Sequence, residues 1–186
     1  MKPVICGIAA VGPNDVIGCD NRMPWYSAQD FYHFRHMTMG YPCIFGKNTF
    51  DGMGNRPLQG RLNIICSSKY TDEFAINGCF YASSIESAIH HARTFDMVFI
   101  CGGAGVYNYA LDNDMIDVFY LTKIYDADLA KQVLNNPTHY TYFPKNTDKF
   151  FMSPEWKSEQ MFYPQNVLPA EKTSIKSLFL KYIRTR

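Results

Sequence analysis

The 186-residue chain predicts an α/β fold with a single central, mostly parallel sheet flanked by helices and with antiparallel strands at its C-terminal edge. Apolar runs alternate with helix-like segments from Val4 to Ile124, which is the order that builds a parallel sheet covered on both faces. Two later segments with alternating polarity, Phe150–Phe162 and Leu178–Ile183, favour antiparallel strands. No internal repeat or long linker interrupts this pattern, so we expect one domain over residues 1–186.

The strands of the first part of the chain are predicted from apolar runs that end at glycine or at turn residues. The first run is continuous, which is typical of a strand buried on both faces. The predicted strands are Val4–Val11, Tyr41–Phe45, Leu62–Cys66, Met97–Cys101 and Val118–Ile124.

The helices are predicted from their start signals, which are capping serines or glycines that end a strand. One helix begins at Ser27 and carries Asp30. The others span Lys47–Met53, Ser84–Arg93 and Ala104–Leu111.

Two stretches are interpreted as loops. Asn14, Asp15 and Gly18 mark a loop after the first strand. The polar stretch Asp126–Asn146 is interpreted as a long surface excursion and a tolerated insertion.

Composition favours small-molecule chemistry. The chain is 47% hydrophobic and 16% aromatic, enough for one substantial core, and its net charge of +1 argues against a broad nucleic-acid footprint. The apolar N-terminal stretch is short and runs into Gly12-Pro13, which fits neither a signal peptide nor a membrane span. We therefore expect a cytoplasmic monomer that binds neither membrane nor nucleic acid.

Cysteines and histidines do not indicate a metal site. The six cysteines form no Cys-x-x-Cys pair, and four lie in apolar runs, which is typical of buried thiols in a reducing compartment. His33 and His36 would share a helix face, but no third ligand has suitable spacing, so we expect no metal.

Asp30 is the most informative residue, and two interpretations of it stay open. If a helix begins at Ser27, Phe34 lies one turn beyond Asp30, so the carboxylate emerges beside aromatic rings, where acid/base chemistry or binding of a cationic heterocycle is favoured. Ser27-x-x-Asp30 also resembles a capping box, in which Asp30 would only satisfy the first N–H groups of the helix.

Two strand-to-helix junctions indicate a phosphate-bearing ligand. Gly46-Lys47-Asn48-Thr49 offers close approach, a cation and a hydroxyl, and Cys101-Gly102-Gly103-Ala104-Gly105 is nearly free of side chains. Ser67-Ser68-Lys69 follows the third strand. Together these turns favour a dinucleotide with an extra phosphate.

The order of these motifs resembles the dihydrofolate reductase family over at least Val4–Thr122. The resemblance implies NADPH-dependent reduction of 7,8-dihydrofolate to tetrahydrofolate, by hydride transfer to C6 and protonation of N5, in support of one-carbon and thymidylate metabolism. The matching motifs are Met23-Pro24-Trp25 with Asp30 five residues on, Gly46-Lys47-Asn48-Thr49-Phe50, Arg56-Pro57-Leu58 with Gly60-Arg61 and Asn63, Ser67-Ser68, and Gly102-Gly103 with Val106-Tyr107.

The resemblance also implies roles for single residues on the substrate side. Asp30 would hold the pterin edge and promote N5 protonation through water, and Trp25 would order that water. Thr122 would orient Asp30, and Arg61 would grip the α-carboxylate of the substrate. The remaining substrate contacts would be Ile8, Phe31, Phe34, Met53 and Cys101, with Arg35 and Arg56 near the glutamate tail.

On the cofactor side, the resemblance implies a nicotinamide site, a mobile lid over Gly18–Trp25 and a cis bond between Gly102 and Gly103. Ala10, Ile17 and Gly18 would line the nicotinamide. Lys47, Asn48, Thr49, Ser67 and Ser68 would contact the adenine side and the 2′-phosphate, and the pyrophosphate turn would comprise Gly102, Gly103, Ala104, Gly105, Val106 and Tyr107.

Some departures and alternatives accompany the resemblance. Gly105 and Ser83 stand where basic residues are common in the family, so the preference for NADPH rests on Lys47 and Lys69.

A related pteridine or pyrimidine reductase would explain the cofactor turns without explaining Asp30 together with Arg61. A catalytically silent nucleotide-binding or structural protein is the third alternative.

Overall fold

The computed structural model describes residues 2–71, 73–164, 167–171 and 174–185. Its strands are β1 (Val4–Val11), β2 (Val16–Cys19), β3 (Pro42–Gly46), β4 (Leu62–Cys66), β5 (Phe74–Ile76), β6 (Cys79–Ala82), β7 (Met97–Ile100), β8 (Val118–Tyr125), β9 (Tyr140–Tyr142), β10 (Trp156–Gln160) and β11 (Lys176–Arg184). Its helices are α1 (Ala28–Thr38), α2 (Lys47–Gly52), α3 (Ile85–His91), α4 (Ala104–Asp112), α5 (Ala127–Asn135) and α6 (Thr147–Phe150).

Nine strands form one sheet in the order β10, β11, β8, β1, β7, β3, β4, β6, β5. The six strands from β8 to β6 in this order run parallel to one another. The two strands at the C-terminal edge, β10 and β11, are antiparallel, as is β5 at the other edge. The predicted mostly parallel sheet with antiparallel C-terminal strands is confirmed.

The core lies on both faces of this sheet because successive side chains of a strand point to opposite faces. In β1, Ile5, Ala9 and Val11 belong to one buried cluster, whereas Cys6 and Ile8 belong to a second cluster. A continuous apolar run is therefore required for a strand at this central position. The carboxyl ends of β8, β1, β7, β3 and β4 consequently meet along one edge.

The structure corrects the prediction for the stretch Asp126–Asn146. It contains helix α5 and strand β9, and Leu129 and Val133 of α5 are buried. These two side chains are four residues apart, so they share one helix face, while the rest of the helix is polar. The predicted loop at Asn14–Gly18 likewise contains most of β2, which pairs with β9.

Two further strands, β5 and β6, lie in a stretch for which no element was predicted. The predicted alternating segment Phe150–Phe162 is a strand only over β10, because its start is the end of α6. The longest helix in the described part of the chain has 11 residues, and none of the described helices is long and apolar enough to cross a membrane.

Candidate active site

Asp30 lies in the first turn of α1 with only 7% of its surface exposed. The hydroxyl of Thr122, on β8, is buried with it and forms a hydrogen bond to the carboxyl group. Burial raises the pKa of Asp30 to about 6, the Thr122 bond lowers it, and the negative charge of Glu171 raises it. A carboxyl group of this kind takes up and releases a proton near neutral pH.

The first N–H groups of α1 are satisfied by other residues. The N–H of Asp30 donates to Oγ of Ser27 at 3.1 Å. The N–H groups of Ala28 and Gln29 donate to the carboxylate of Glu171, each at 3.0 Å. Ser27 and Glu171 therefore cap this helix, and the Asp30 side chain is directed to Thr122 instead.

Trp25 is buried beside the start of α1 and packs in a cluster with Val16, Leu129 and Val133. A Cβ atom at Gly12 would come within 2.9 Å of the Trp25 ring, so glycine is needed at that position. The indole Nε1 is buried and has no hydrogen-bond partner among the described residues. A donor in this state fits a water molecule or a ligand atom.

The predicted apolar walls are brought together in part. Ile8 is buried, and Phe34, Met53 and Cys101 pack against the same cluster of buried side chains. Phe31 differs, because it is 43% exposed and its ring centroid lies 5.3 Å from that of Tyr26. Phe31 is therefore on the exposed side of α1, close to Tyr26.

Arg61, which the resemblance predicts to bind the substrate carboxylate, is half-buried. Its Nη1 donates to Oγ1 of Thr38 at 3.4 Å, while its Nε is buried and unpartnered among the described residues. Burial lowers the pKa of Arg61, and the positive charge of Arg35 lowers it as well. Arg56 is exposed, and none of the ion pairs within the described ranges involves these three arginines. Such an arrangement suits a carboxylate ligand.

The two phosphate-type turns lie against each other. The N–H of Gly46 donates to the carbonyl of Gly102 at 2.6 Å, and a Cβ atom at Gly103 would lie 2.7 Å from Oγ1 of Thr49. The peptide bond between Gly102 and Gly103 is cis, which confirms that prediction. Helices α2 and α4 begin here without a side-chain cap, whereas α1, α3 and α5 are capped by side chains.

The first turn of α4 contains the remaining residues predicted for the pyrophosphate turn. Ala104 is half-buried and Gly105 is exposed, and a Cβ atom at Gly46 would lie 3.0 Å from Cγ2 of Val106. Free N–H groups at two adjoining helix N-termini form a site for phosphate groups. These residues fit the diphosphate of a dinucleotide.

Tyr107 links this turn to β1. Its buried hydroxyl donates to the carbonyl of Ile8 on β1 at 2.6 Å. A Cβ atom at Gly102 would lie 3.2 Å from that hydroxyl. Burial raises the pKa of Tyr107, and the charges of Cys101 and Asp30 raise it further. The side chain of Tyr107 therefore supports the sheet next to Asp30, which is a structural contact that sequence reasoning did not indicate.

The predicted contacts to the adenine side lie at the ends of β3 and β4. Ser67 is half-buried, whereas Asn48, Ser68 and Lys69 are exposed. The ammonium group of Lys47 forms an ion pair with Asp51 one turn along α2. This ion pair uses one of the three N–H donors of the ammonium group, so the other two can still contact a phosphate group.

The base of the predicted lid is fastened to the last third of the chain. Ile17 and Gly18 lie in β2, which pairs with β9, and Ala10 packs against the cluster that contains Trp25. The carboxylate of Asp15 accepts hydrogen bonds from both the N–H and the hydroxyl of Thr147. These partners are 132 residues apart, and no local signal in the sequence indicates the contact.

Cys19, Asp20 and His139 bring three potential metal ligands together on the outer side of this two-stranded sheet. Asp20 and His139 are exposed and lie 3.7 Å apart, which an ordinary surface ion pair explains. The same side chains line a cavity of about 570 Å³, and Asp30 is not among its lining residues. All six cysteines are free thiols.

Comparisons with known proteins show which family this chain is similar to. A family model described as dihydrofolate reductase matches residues 4–166. The dihydrofolate reductase of Haemophilus influenzae is 39% identical over 63% of this chain and 69% of its own length. The enzyme of Bacillus subtilis is 31% identical over 91% of this chain and 95% of its own length. A solved dihydrofolate reductase from Enterococcus faecalis, in complex with NADP(H) and RAB-propyl, superposes with a TM-score of 0.74 at 22% identity, covering 100% of this chain and 99% of that one.

The mostly parallel sheet and the two helix N-termini without a side-chain cap are features expected of a dinucleotide-binding protein. The matched family model, and the large share of the relatives' lengths that this chain covers, identify the family. The chain belongs to the dihydrofolate reductase family.

Proposed function

We propose that this protein reduces 7,8-dihydrofolate to 5,6,7,8-tetrahydrofolate with NADPH. The observation that carries the proposal is the buried Asp30 carboxyl group, held by Thr122 and titrating near pH 6. The alternatives of a silent nucleotide-binding protein and of a reductase for another heterocycle leave either this group or Arg61 without a role.

Asp30 binds the amidine-like edge of the pterin, because its two oxygen atoms match two adjacent N–H donors of that ring. At neutral pH the carboxyl group is mostly ionised, and its negative charge raises the proton affinity of the bound pterin. The proton reaches N5 from water, and the unpartnered Nε1 of Trp25 orients that water. Thr122 fixes the carboxyl plane through its hydroxyl group.

The rest of the substrate lies along the apolar walls and ends at the arginines. Ile8, Phe34 and Met53 contact the pterin and aminobenzoyl rings. Arg61 binds the α-carboxylate through its free guanidinium N–H groups, with Arg35 beside it.

The cofactor is held by the paired turns and supplies, when bound, the hydride that C6 of the substrate accepts. The N–H groups at the starts of α2 and α4 bind the diphosphate, and Gly46 and Gly103 permit the close approach of the two turns. Lys47, Ser67, Ser68 and Lys69 bind the 2′-phosphate, which distinguishes NADPH from NADH. Ala10, Ile17 and Cys101 enclose the nicotinamide.

We further propose that the protein acts as a single-domain monomer in the cytoplasm. One sheet joins β1 near the start of the chain to β11 near its end. The six free thiols are typical of a protein in a reducing compartment. The net charge of +1 provides little electrostatic attraction for nucleic acid.

The test is to mix the purified protein with NADPH and dihydrofolate and to follow the absorbance of the reduced nicotinamide. We expect a loss of absorbance that requires dihydrofolate and that is faster with NADPH than with NADH. A matched assay with a pterin that lacks the glutamate tail distinguishes a general pteridine reductase. Absence of any substrate-dependent loss would refute the proposed function.

A further inference from the structure

The connection between β10 and β11 crosses the N-terminal half of α1, the helix that carries Asp30. The side-chain amide of Gln29 donates to the carbonyl of Pro169 at 3.3 Å. Earlier in the same connection, Tyr163 forms a hydrogen bond with Nδ1 of His33, one turn after Asp30. The connection is therefore bound to two successive turns of α1.

Glu171 makes the most extensive of these contacts. Its carboxylate accepts the N–H groups of Ala28 and Gln29, each at 3.0 Å, and also the hydroxyl of Ser27. Oγ of Ser27, which is almost fully buried, lies 3.1 Å from Oγ of Ser177 on β11. The start of α1 is thus tied to the C-terminal strands through one carboxylate and two hydroxyl groups.

The position of a second carboxylate here affects Asp30 in two ways. The free N–H groups at a helix N-terminus attract an anion, and an acidic residue in the first turn commonly satisfies them. Because Glu171 occupies these groups, the Asp30 side chain is left to bond with Thr122 and to face the pocket. Glu171 also places a negative charge close enough to Asp30 to oppose its ionisation.

We propose that Glu171 is a positioning residue for the reductase: it caps α1 in place of Asp30, and its negative charge adds to the effect of burial on that carboxyl group. This inference rests on the proposed function. No role was predicted for Glu171 from the sequence motifs.

Among the described residues, three groups outside α1 interact with Asp30 from the elements packed around it. Tyr107 faces it from α4, the hydroxyl of Thr122 from β8, and Glu171 from the connection. Within α1, burial lowers the pKa of His33 to about 4, so that His33 is neutral where the enzyme works. Glu171 is therefore the nearby charge whose removal changes the titration of Asp30 most directly.

The test compares the pH dependence of turnover in wild-type protein and in Glu171→Gln. Glutamine removes the charge and retains one of the two oxygen acceptors that bind the N–H groups of Ala28 and Gln29, so part of the cap is kept. Since protonation of the substrate is favoured by the proton affinity around Asp30, turnover falls as pH rises. We expect Glu171→Gln to move the midpoint of this fall to lower pH by about half a unit, as for two charges interacting across a partly screened site. On the falling limb this shift corresponds to a loss of about threefold in turnover.

Glu155→Gln is the matched control, because Glu155 is an exposed residue that precedes β10. It makes the same change of charge, and we expect it to leave the midpoint unchanged. Glu171→Ala, followed by thermal denaturation, measures the loss of the cap itself. A purely structural role of Glu171 would lower stability, or turnover at every pH, without moving the midpoint.

The outcomes separate this inference from the proposed function. If the wild-type protein does not oxidise NADPH with dihydrofolate, the proposed function fails. If the wild-type protein is active and Glu171→Gln retains its midpoint, the inference about Glu171 is overturned while the function stands. A downward shift in Glu171→Gln that Glu155→Gln does not share supports the inference.

Discussion

Replacing Asp30 with asparagine is expected to stabilise the unliganded protein at neutral pH, although it removes the central group of the active site. The reason is the cost of ionising a buried carboxyl group. Burial raises the pKa of Asp30 from its ordinary value of 3.8 to about 6 in the folded protein. This difference corresponds to about 3 kcal/mol of folding free energy once the group is fully ionised.

The direction of this stability change follows from the number of protons that the folded and the unfolded chain bind at each pH. Well below pH 3.8 the carboxyl group is protonated in both the folded and the unfolded chain, so its titration contributes nothing to stability. Between pH 4 and pH 6 the unfolded chain loses this proton first, so the free energy of unfolding falls as pH rises. The stabilisation by Asp30→Asn is therefore about 1 kcal/mol at pH 4.5 and about 3 kcal/mol at pH 7.5, apart from a term independent of pH.

Urea denaturation of both proteins at a series of pH values between 4.5 and 7.5 measures this difference. The change in the difference with pH is the quantity to read, because it excludes constant effects of the amide group. Asp96→Asn serves as the control, because Asp96 is an exposed carboxylate. An Asp30→Asn effect that is the same at all pH values would refute the assignment of a raised pKa to Asp30.

Three further predictions concern substrate, cofactor and lid. Arg61→Leu is expected to weaken dihydrofolate binding by about 2 to 3 kcal/mol in equilibrium titrations, which is the scale of a lost charge-assisted pair. Folate binding equal to that of the wild-type protein would contradict the proposal that Arg61 binds the substrate carboxylate. Gly103→Ala places a Cβ atom 2.7 Å from Oγ1 of Thr49. We expect this overpacking to separate the two turns and to weaken NADPH binding by about 1 to 3 kcal/mol. An unchanged dissociation constant for NADPH would contradict the paired-turn site. Leu129→Ala removes a side chain buried against Trp25 and is expected to cost about 2 to 5 kcal/mol in urea unfolding, whereas a cost below 1 kcal/mol would mean that α5 is a dispensable insertion.

Local signals in the sequence predicted most of the sheet. Five of the eight strands and all four α-helices before Asp126 were predicted, from signals such as the continuous run of β1 and the N-cap Ser84, whose side chain accepts the N–H of Ser87. Helix α5 was missed because its polar composition conceals a single buried face formed by Leu129 and Val133. Strand β5 has three residues, all exposed, and so lacks the alternation that marks a strand.

The candidate site was predicted residue by residue from the family resemblance, and its geometry depends on contacts that no local pattern contains. The partners of the first turn of α1 are the clearest case, since Glu171 is 143 residues from Ala28. The sequence pattern is compatible with a catalytic role and with a capping role for Asp30. The choice depends on which other carboxylate reaches the helix N-terminus, and only the tertiary structure contains that information.

The pH dependence of turnover in Asp30→Asn tests the role of Asp30 most directly. In assays with NADPH and dihydrofolate between pH 5 and pH 8, we expect Asp30→Asn to lose about a hundredfold or more in turnover at neutral pH, as for the removal of a general acid–base group. The loss should shrink towards pH 5, because substrate already protonated in solution needs less help, and NADPH affinity should be retained. Turnover equal to that of the wild-type protein at neutral pH would contradict the role assigned to Asp30.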